Sequence, residues 1–116
     1  MEIDSIKEYI NKEMSLFKIK PYSKSYKYLV DAIYICILDE DAIENIAKNV
    51  YPKIAQKYEL NSIYKVKWNL ENAIDTIYCD TKSDIICDYF KIDISQKITV
   101  KLFIYTIITK YFNLIQ

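Results

Sequence analysis

From Tyr51 to Tyr78 the order of apolar and polar residues describes two helices and the turn between them. Tyr51-Pro52-Lys53-Ile54-Ala55-Gln56-Lys57-Tyr58 reads as a short helix, Glu59-Leu60-Asn61 as a turn, and Ser62 to Ile77 as a longer helix. Pro52 suits a first helical position, where a missing N–H has no partner to lose. Asn61-Ser62 offers an N-cap for the second helix. Ile63, Val66, Leu70, Ala73, Ile74 and Ile77 recur at threes and fours and define one dry face. Tyr64, Lys65, Trp68, Glu71 and Asn72 fall on the opposite face, with Lys67 on its flank. A short helix, a tight turn and a longer helix with one dry and one decorated side is the unit that enters a major groove.

The same periodicity runs through the rest of the chain. Ile3, Ile6, Ile10, Met14 and Phe17 predict a first helix over Asp4–Leu16, and Pro21 marks a break over residues 18–23. Tyr26, Leu29, Val30, Ile33, Cys36 and Ile37 form the stripe of a second helix from Ser23 to Leu38. Ile35 lies on its other side, so this helix is expected at the centre. Asp39-Glu40-Asp41 caps a third helix ending near Tyr51. Residues 80–83 read as a loop and Asp84–Phe90 as a short helix. Residues 91–98 alternate through Ile92, Ile94 and Ile98, and are extended or irregular. A last helix from Thr99 carries Val100, Phe103, Ile104, Ile107, Ile108, Tyr111 and Phe112, a stripe broad enough for a core helix or a shared dimer surface. The expectation is one all-α domain over residues 1–116, a bundle of six or seven helices containing a helix-turn-helix.

Composition narrows the chemistry. The 116 residues contain no Gly and only 2 Pro, which leaves few means of making the positive-φ turns of β-hairpins. All 16 basic residues are Lys, balanced by 16 acids, so the net charge gives no argument for nucleic acid. The distribution is uneven. Residues 45–67 hold five Lys against one acid, and residues 94–116 three Lys against none. Residues 25–44 and 68–93 each carry a balance of −4. Ordinary surface scatter is the competing explanation.

There is no His, no Arg and no Gly-rich loop, and the three cysteines (Cys36, Cys79, Cys87) are not clustered. Asp84 and Asp88 are spaced for one helical face, which reads as solvated surface. Neither an enzyme, a cofactor nor a metal site is expected. An odd number of thiols fits a reduced, cytoplasmic protein. The acidic start (Glu2, Asp4) is not a signal peptide, and no apolar run approaches a membrane span. No small-molecule substrate is implied.

From about Lys20 to Leu114 the sequence resembles the C-terminal DNA-binding effector domain of the sporulation master regulator of endospore-forming bacteria. That family carries His-Ile-Lys-Gly-Tyr-Leu-Tyr-Leu-Arg-Glu-Ala-Ile in its second helix, where this chain has Tyr22-Ser23-Lys24-Ser25-Tyr26-Lys27-Tyr28-Leu29-Val30-Asp31-Ala32-Ile33. The family's Leu-Tyr-Pro-Asp-Ile-Ala-Lys-Lys-Phe resembles Val50-Tyr51-Pro52-Lys53-Ile54-Ala55-Gln56-Lys57-Tyr58 at the family's spacing. One extra residue enters at the turn. The family's Ser-Arg-Val-Glu-Arg-Ala-Ile-Arg-His-Ala-Ile then aligns with residues 64–74, and its Lys-Pro-Thr-Asn-Ser-Glu-Phe-Ile with residues 97–104.

The resemblance implies a DNA-binding transcriptional regulator. In the family this domain follows a phosphorylatable receiver. Here a short helix precedes it, so control by phosphorylation in cis is not expected. The apolar scaffold positions Val66, Leu70, Ala73 and Ile74 are kept, whereas the family's Arg, Glu, Arg, Arg and His become Lys65, Lys67, Trp68, Glu71 and Asn72. Lys is a point charge where Arg is a two-pronged fork for guanine, and Glu71 repels phosphate. Altered or weakened sequence specificity follows. The expected DNA-contacting residues are Ser62, Tyr64, Lys65, Lys67, Trp68, Glu71 and Asn72, with Lys97 and Lys101 before and within the last helix. The alternative is an interaction module of the same fold, anchored on Trp68, that binds a related regulator or dimerises without binding DNA.

Overall fold

Most helices start where a short polar side chain can take over an orphaned backbone amide. The computed structural model describes residues 2–116, with side chains from Ser5 onward. Helix α1 spans Glu2–Met14, α2 Lys24–Leu38, α3 Ile46–Asn49, α4 Tyr51–Lys57, α5 Ile63–Asp80, α6 Ser83–Phe90 and α7 Val100–Ile115. Ser23, Asn45, Ser62 and Thr99 cap α2, α3, α5 and α7, their side-chain oxygens accepting from the amides of Tyr26, Lys48, Tyr64 and Leu102. Pro52 sits in the first turn of α4, where the sequence pattern predicts it. There is no strand among the described residues, and residues 91–99 form turns and irregular chain. The alternation of Ile92, Ile94 and Ile98 makes no sheet because no second strand is present to pair with it. Only Ile98 of the three is fully buried.

The third helix departs from expectation. Instead of one helix from Asp39 to Tyr51, a 3-10 segment (Glu40–Asn45) gives way to the single turn of α3, and α4 follows at once. Asn45 is the cause. Its backbone leaves the helical region (φ −147°, ψ 87°), and its side chain accepts from Lys48 N at 3.2 Å, ending one helix and opening another. Helix α1 also sits slightly earlier than its predicted span, with Ser15 to Phe17 closing its end as a turn. The predicted core position Ile3 lies outside the described side chains, while Ile6, Ile10, Met14 and Phe17 are buried.

Helix α2 is central and packs on α1, α4, α5 and α7. It buries Leu29, Ala32, Ile33 and Cys36 completely, with Tyr26 and Val30 half-buried at its margins. Phe103 and Ile104 of α7 close the core from the other side, and Phe17, Tyr89, Phe90 and Phe103 form an aromatic cluster. Tyr9 donates to the carbonyl of Ile107 at 3.2 Å and Tyr89 to Glu13 Oε1 at 2.7 Å, so α1 is tied to α7 and to α6. Burial raises both phenols well above the ordinary tyrosine range. Asp31 is the one buried acid among the described residues. Lys57 Nζ lies 2.9 Å from its Oδ1, and Tyr58 donates to its Oδ2 at 2.5 Å. That pair of charge-assisted contacts fastens the end of α4 to the middle of α2.

Two turns use the left-handed region without glycine. Glu59 (φ 54°) ends α4, with Leu60 N donating to Ala55 O at 2.8 Å, and Lys91 (φ 56°) ends α6, with Ile92 N donating to Cys87 O at 3.2 Å. The first of these is the turn between α4 and α5, the pair that the sequence pattern reads as a helix-turn-helix.

Candidate nucleic-acid interface

Helix α5 lies across α2 and α4, with α7 behind it. Val66, Leu70, Ala73, Ile74 and Ile77 are buried, as the apolar stripe predicts. Ile63 is not. It is 45% exposed, a correction to the sequence reading. Its direction on the helix is right, but it is the first residue of α5. It lines a shallow groove with Ala47, Tyr51, Tyr64 and Lys67.

Tyr64 and Trp68, one turn apart, form the outermost line of the first half of α5, at 74% and 64% exposure. Lys65 and Lys67 stand exposed on either side of that line. Lys67 Nζ lies 5.9 Å from the centre of the Tyr64 ring. On the Lys65 side an open groove of ≈ 480 Å³ is lined by Lys24, Tyr28, Leu60, Tyr64, Lys65, Trp68 and Asn69. Lys24 is a site residue that sequence reasoning missed. As the first residue of α2 it is far from α5 in the chain, and only the packing of α2 on α5 brings it beside Trp68. Three lysines therefore rim an aromatic surface whose lining contains no acid.

Several polar groups here are already engaged. Ser62 Oγ accepts from Tyr64 N at 3.1 Å as the cap of α5. Asn69 donates to Lys65 O at 2.8 Å and accepts from Ser25 Oγ at 3.2 Å, holding α5 to α2. Asn72 is half-buried.

The second half of α5 is different. Glu71 and Asp75 are exposed, and they share a cleft with Tyr51, Lys97 and Lys101. The structure thus brings Lys97 and Lys101 to α5, but next to two carboxylates rather than beside Trp68. Burial, and secondarily the Glu71 charge, raise the Tyr51 phenol above its ordinary value. Tyr51 borders both this cleft and the Ile63 groove, which joins Lys97 and Lys101 to the Lys67 side of α5.

Elsewhere little chemistry converges. Among the described residues no group of His, Cys, Asp and Glu is placed to hold a metal ion, and no helix is long and apolar enough to cross a membrane. Asp84 and Asp88 are exposed on α6, and Asp88 pairs with Lys91 at 3.6 Å. The cysteines are free thiols. Burial, with a smaller contribution from Asp39, pushes Cys36 up to about 11.

No curated protein matches the chain. Residues 9–111 match the family described as "Sporulation initiation factor Spo0A C terminal". The match takes in every element from the middle of α1 to most of α7, including the whole of α4 and α5. These are regulatory DNA-binding effector domains of a sporulation regulator, not enzymes. The seven-helix fold, the α4–turn–α5 unit and the match over nearly the whole length agree, and the chain belongs to the sporulation initiation factor C-terminal domain family.

Proposed function

We propose that this protein is a transcriptional regulator that binds double-stranded DNA through the first half of α5. The single observation carrying this reading is the division of labour along that helix. Val66, Leu70, Ala73 and Ile74 take the packing, while Tyr64, Lys65, Lys67 and Trp68 are exposed and free to meet a partner. In helix-turn-helix proteins the first residues of the second helix reach the base edges. Lys24, Lys65 and Lys67 rim that end and would meet the phosphates on either wall of a groove. Glu71 and Asp75 hold the second half of the helix away from phosphate, so entry is by the N-terminal half alone. Lys97 and Lys101 offset those acids and add a further phosphate contact at the edge. Without an arginine fork the sequence specificity differs from that of the relatives.

Trp68 is the sole tryptophan, so its emission reports this face directly. Titration with duplex DNA at low salt is expected to quench or shift it, with an effect that fades as salt rises, because released counterions drive phosphate contacts. Lys65→Ala and Lys67→Ala should each reduce the salt slope by about one. The apolar lining of the adjacent groove (Tyr28, Leu60, Tyr64, Trp68) favours the second reading, a module that binds a related regulator. Trp68 emission that ignores every duplex at low salt but responds to a protein would put that reading in place of the first.

A further inference from the structure

Two aromatic rings dominate the free surface at the tip of α5. Tyr64 and Trp68 occupy the centre line of the exposed half-helix, and the lysines stand to either side of it. Ser62 and Asn69, which flank that line, are bound within the protein, and Asn72, one turn beyond Trp68, is half-buried. Lys67 leans toward the Tyr64 ring. What remains at the centre, apart from the tyrosine hydroxyl and the indole N–H, is aromatic surface. In the major groove the one apolar feature of a base pair is the C5-methyl of thymine.

We infer that Trp68 and Tyr64 make this a reader of pyrimidine C5-methyl groups, so that the DNA it selects is recognised chiefly by apolar contact with thymine rather than by hydrogen bonds to guanine. This rests on the DNA-binding reading above and specifies what that surface detects. An aromatic face laid on a methyl excludes water from both, and burying one such group corresponds to about a fourfold gain in affinity. The lysines contribute phosphate attraction that does not depend on sequence.

The test uses end-labelled alternating duplexes in two pairs, dA-dT against dA-dU and dG-dC against dG with 5-methyl-dC, followed by fluorescence anisotropy at low salt. Within each pair only the methyl groups differ. The methylated member should bind more tightly, by about fourfold for each methyl contacted. Trp68→Ala and Tyr64→Ala, both at exposed positions, should weaken binding of the methylated member and so shrink that ratio toward one. Equal affinity within both pairs would overturn the methyl reading and leave DNA binding standing. A methyl preference that survives both substitutions would overturn the assignment to these two residues. Failure to bind any of the four duplexes would overturn the DNA-binding reading itself, and this inference with it.

Discussion

Leu70→Ala tests the face assignment of α5 at its centre. The leucine has 0% exposure on the buried face of α5, the helix that packs on α2, α4 and α7. Truncation to alanine forfeits the transfer energy of the lost carbons, about 2.4 kcal/mol at about 0.8 kcal/mol per buried methylene. A cavity term adds to this, because Val66, Ala73 and Ile74 are fixed on the same helix and can relax only partly. The expected loss is about 3–4 kcal/mol, a large share of the roughly 5–15 kcal/mol by which such domains are folded. Trp68→Ala deletes a larger side chain two residues earlier, yet it should cost less than about 1 kcal/mol, since most of that ring is already in water. Urea denaturation of the two variants and the parent, followed by far-ultraviolet circular dichroism, measures the contrast. Equal losses, or a larger loss at Trp68, would mean that the helix is rotated and that the exposed surface described above is wrong.

Two further outcomes follow from the turns and the tyrosines. Glu59→Gly and Lys91→Gly should each raise stability by about 0.5–1 kcal/mol, because glycine enters the left-handed region without the steric cost an L-residue meets there, less the extra freedom it gains when unfolded. Unchanged or lower denaturation midpoints would refute this. Tyr9, Tyr58 and Tyr89 have phenols raised above the ordinary 10.0, chiefly by burial and, for Tyr58 and Tyr89, by donating to Asp31 and Glu13. A raised phenol contributes stability that is fully present below the unfolded value and lost as pH rises through the folded one. The urea midpoint should therefore be insensitive to tyrosine ionisation below about pH 9 and fall as pH passes 10.0. A midpoint that holds to about pH 11 would show that these phenols ionise as easily in the folded protein.

The register of α5 was legible in the sequence because it rests on many residues at once. An apolar repeat sustained over 18 residues tolerates one misplaced member, and Ile63 is that member. Its exposure depends on what packs beside the first turn of α5, which the repeat does not encode. The starts of α2, α5 and α7 were legible for a local reason, since Ser23, Ser62 and Thr99 act on amides two or three residues away. Asn45 uses the same chemistry, but it interrupts a helix that the apolar spacing alone would continue. Asp31 sits within an apolar stretch of α2, and its burial becomes intelligible only once Lys57 and Tyr58 are seen to reach it. Lys24 beside Trp68 and the company Lys97 and Lys101 keep with Glu71 and Asp75 are likewise products of packing. The α5 residues of the candidate surface could be named from the chain, but Lys24 and the division of the surface into a lysine-rimmed aromatic end and a charge-balanced end could not.

The clean separation of duties along α5 has a consequence for how such a protein changes over generations. Most substitutions erode folding, and a lineage can accept only those that leave it above the threshold for a folded population. Tyr64, Lys65, Lys67 and Trp68 lie outside the packed interior, so exchanging any one of them leaves the scaffold almost untouched. New surface chemistry can then be sampled one residue at a time, with no need for compensating repairs in the interior. Grafting a different set of side chains onto these four positions should therefore yield folded proteins as a matter of course, each with a different exposed surface on the same helix.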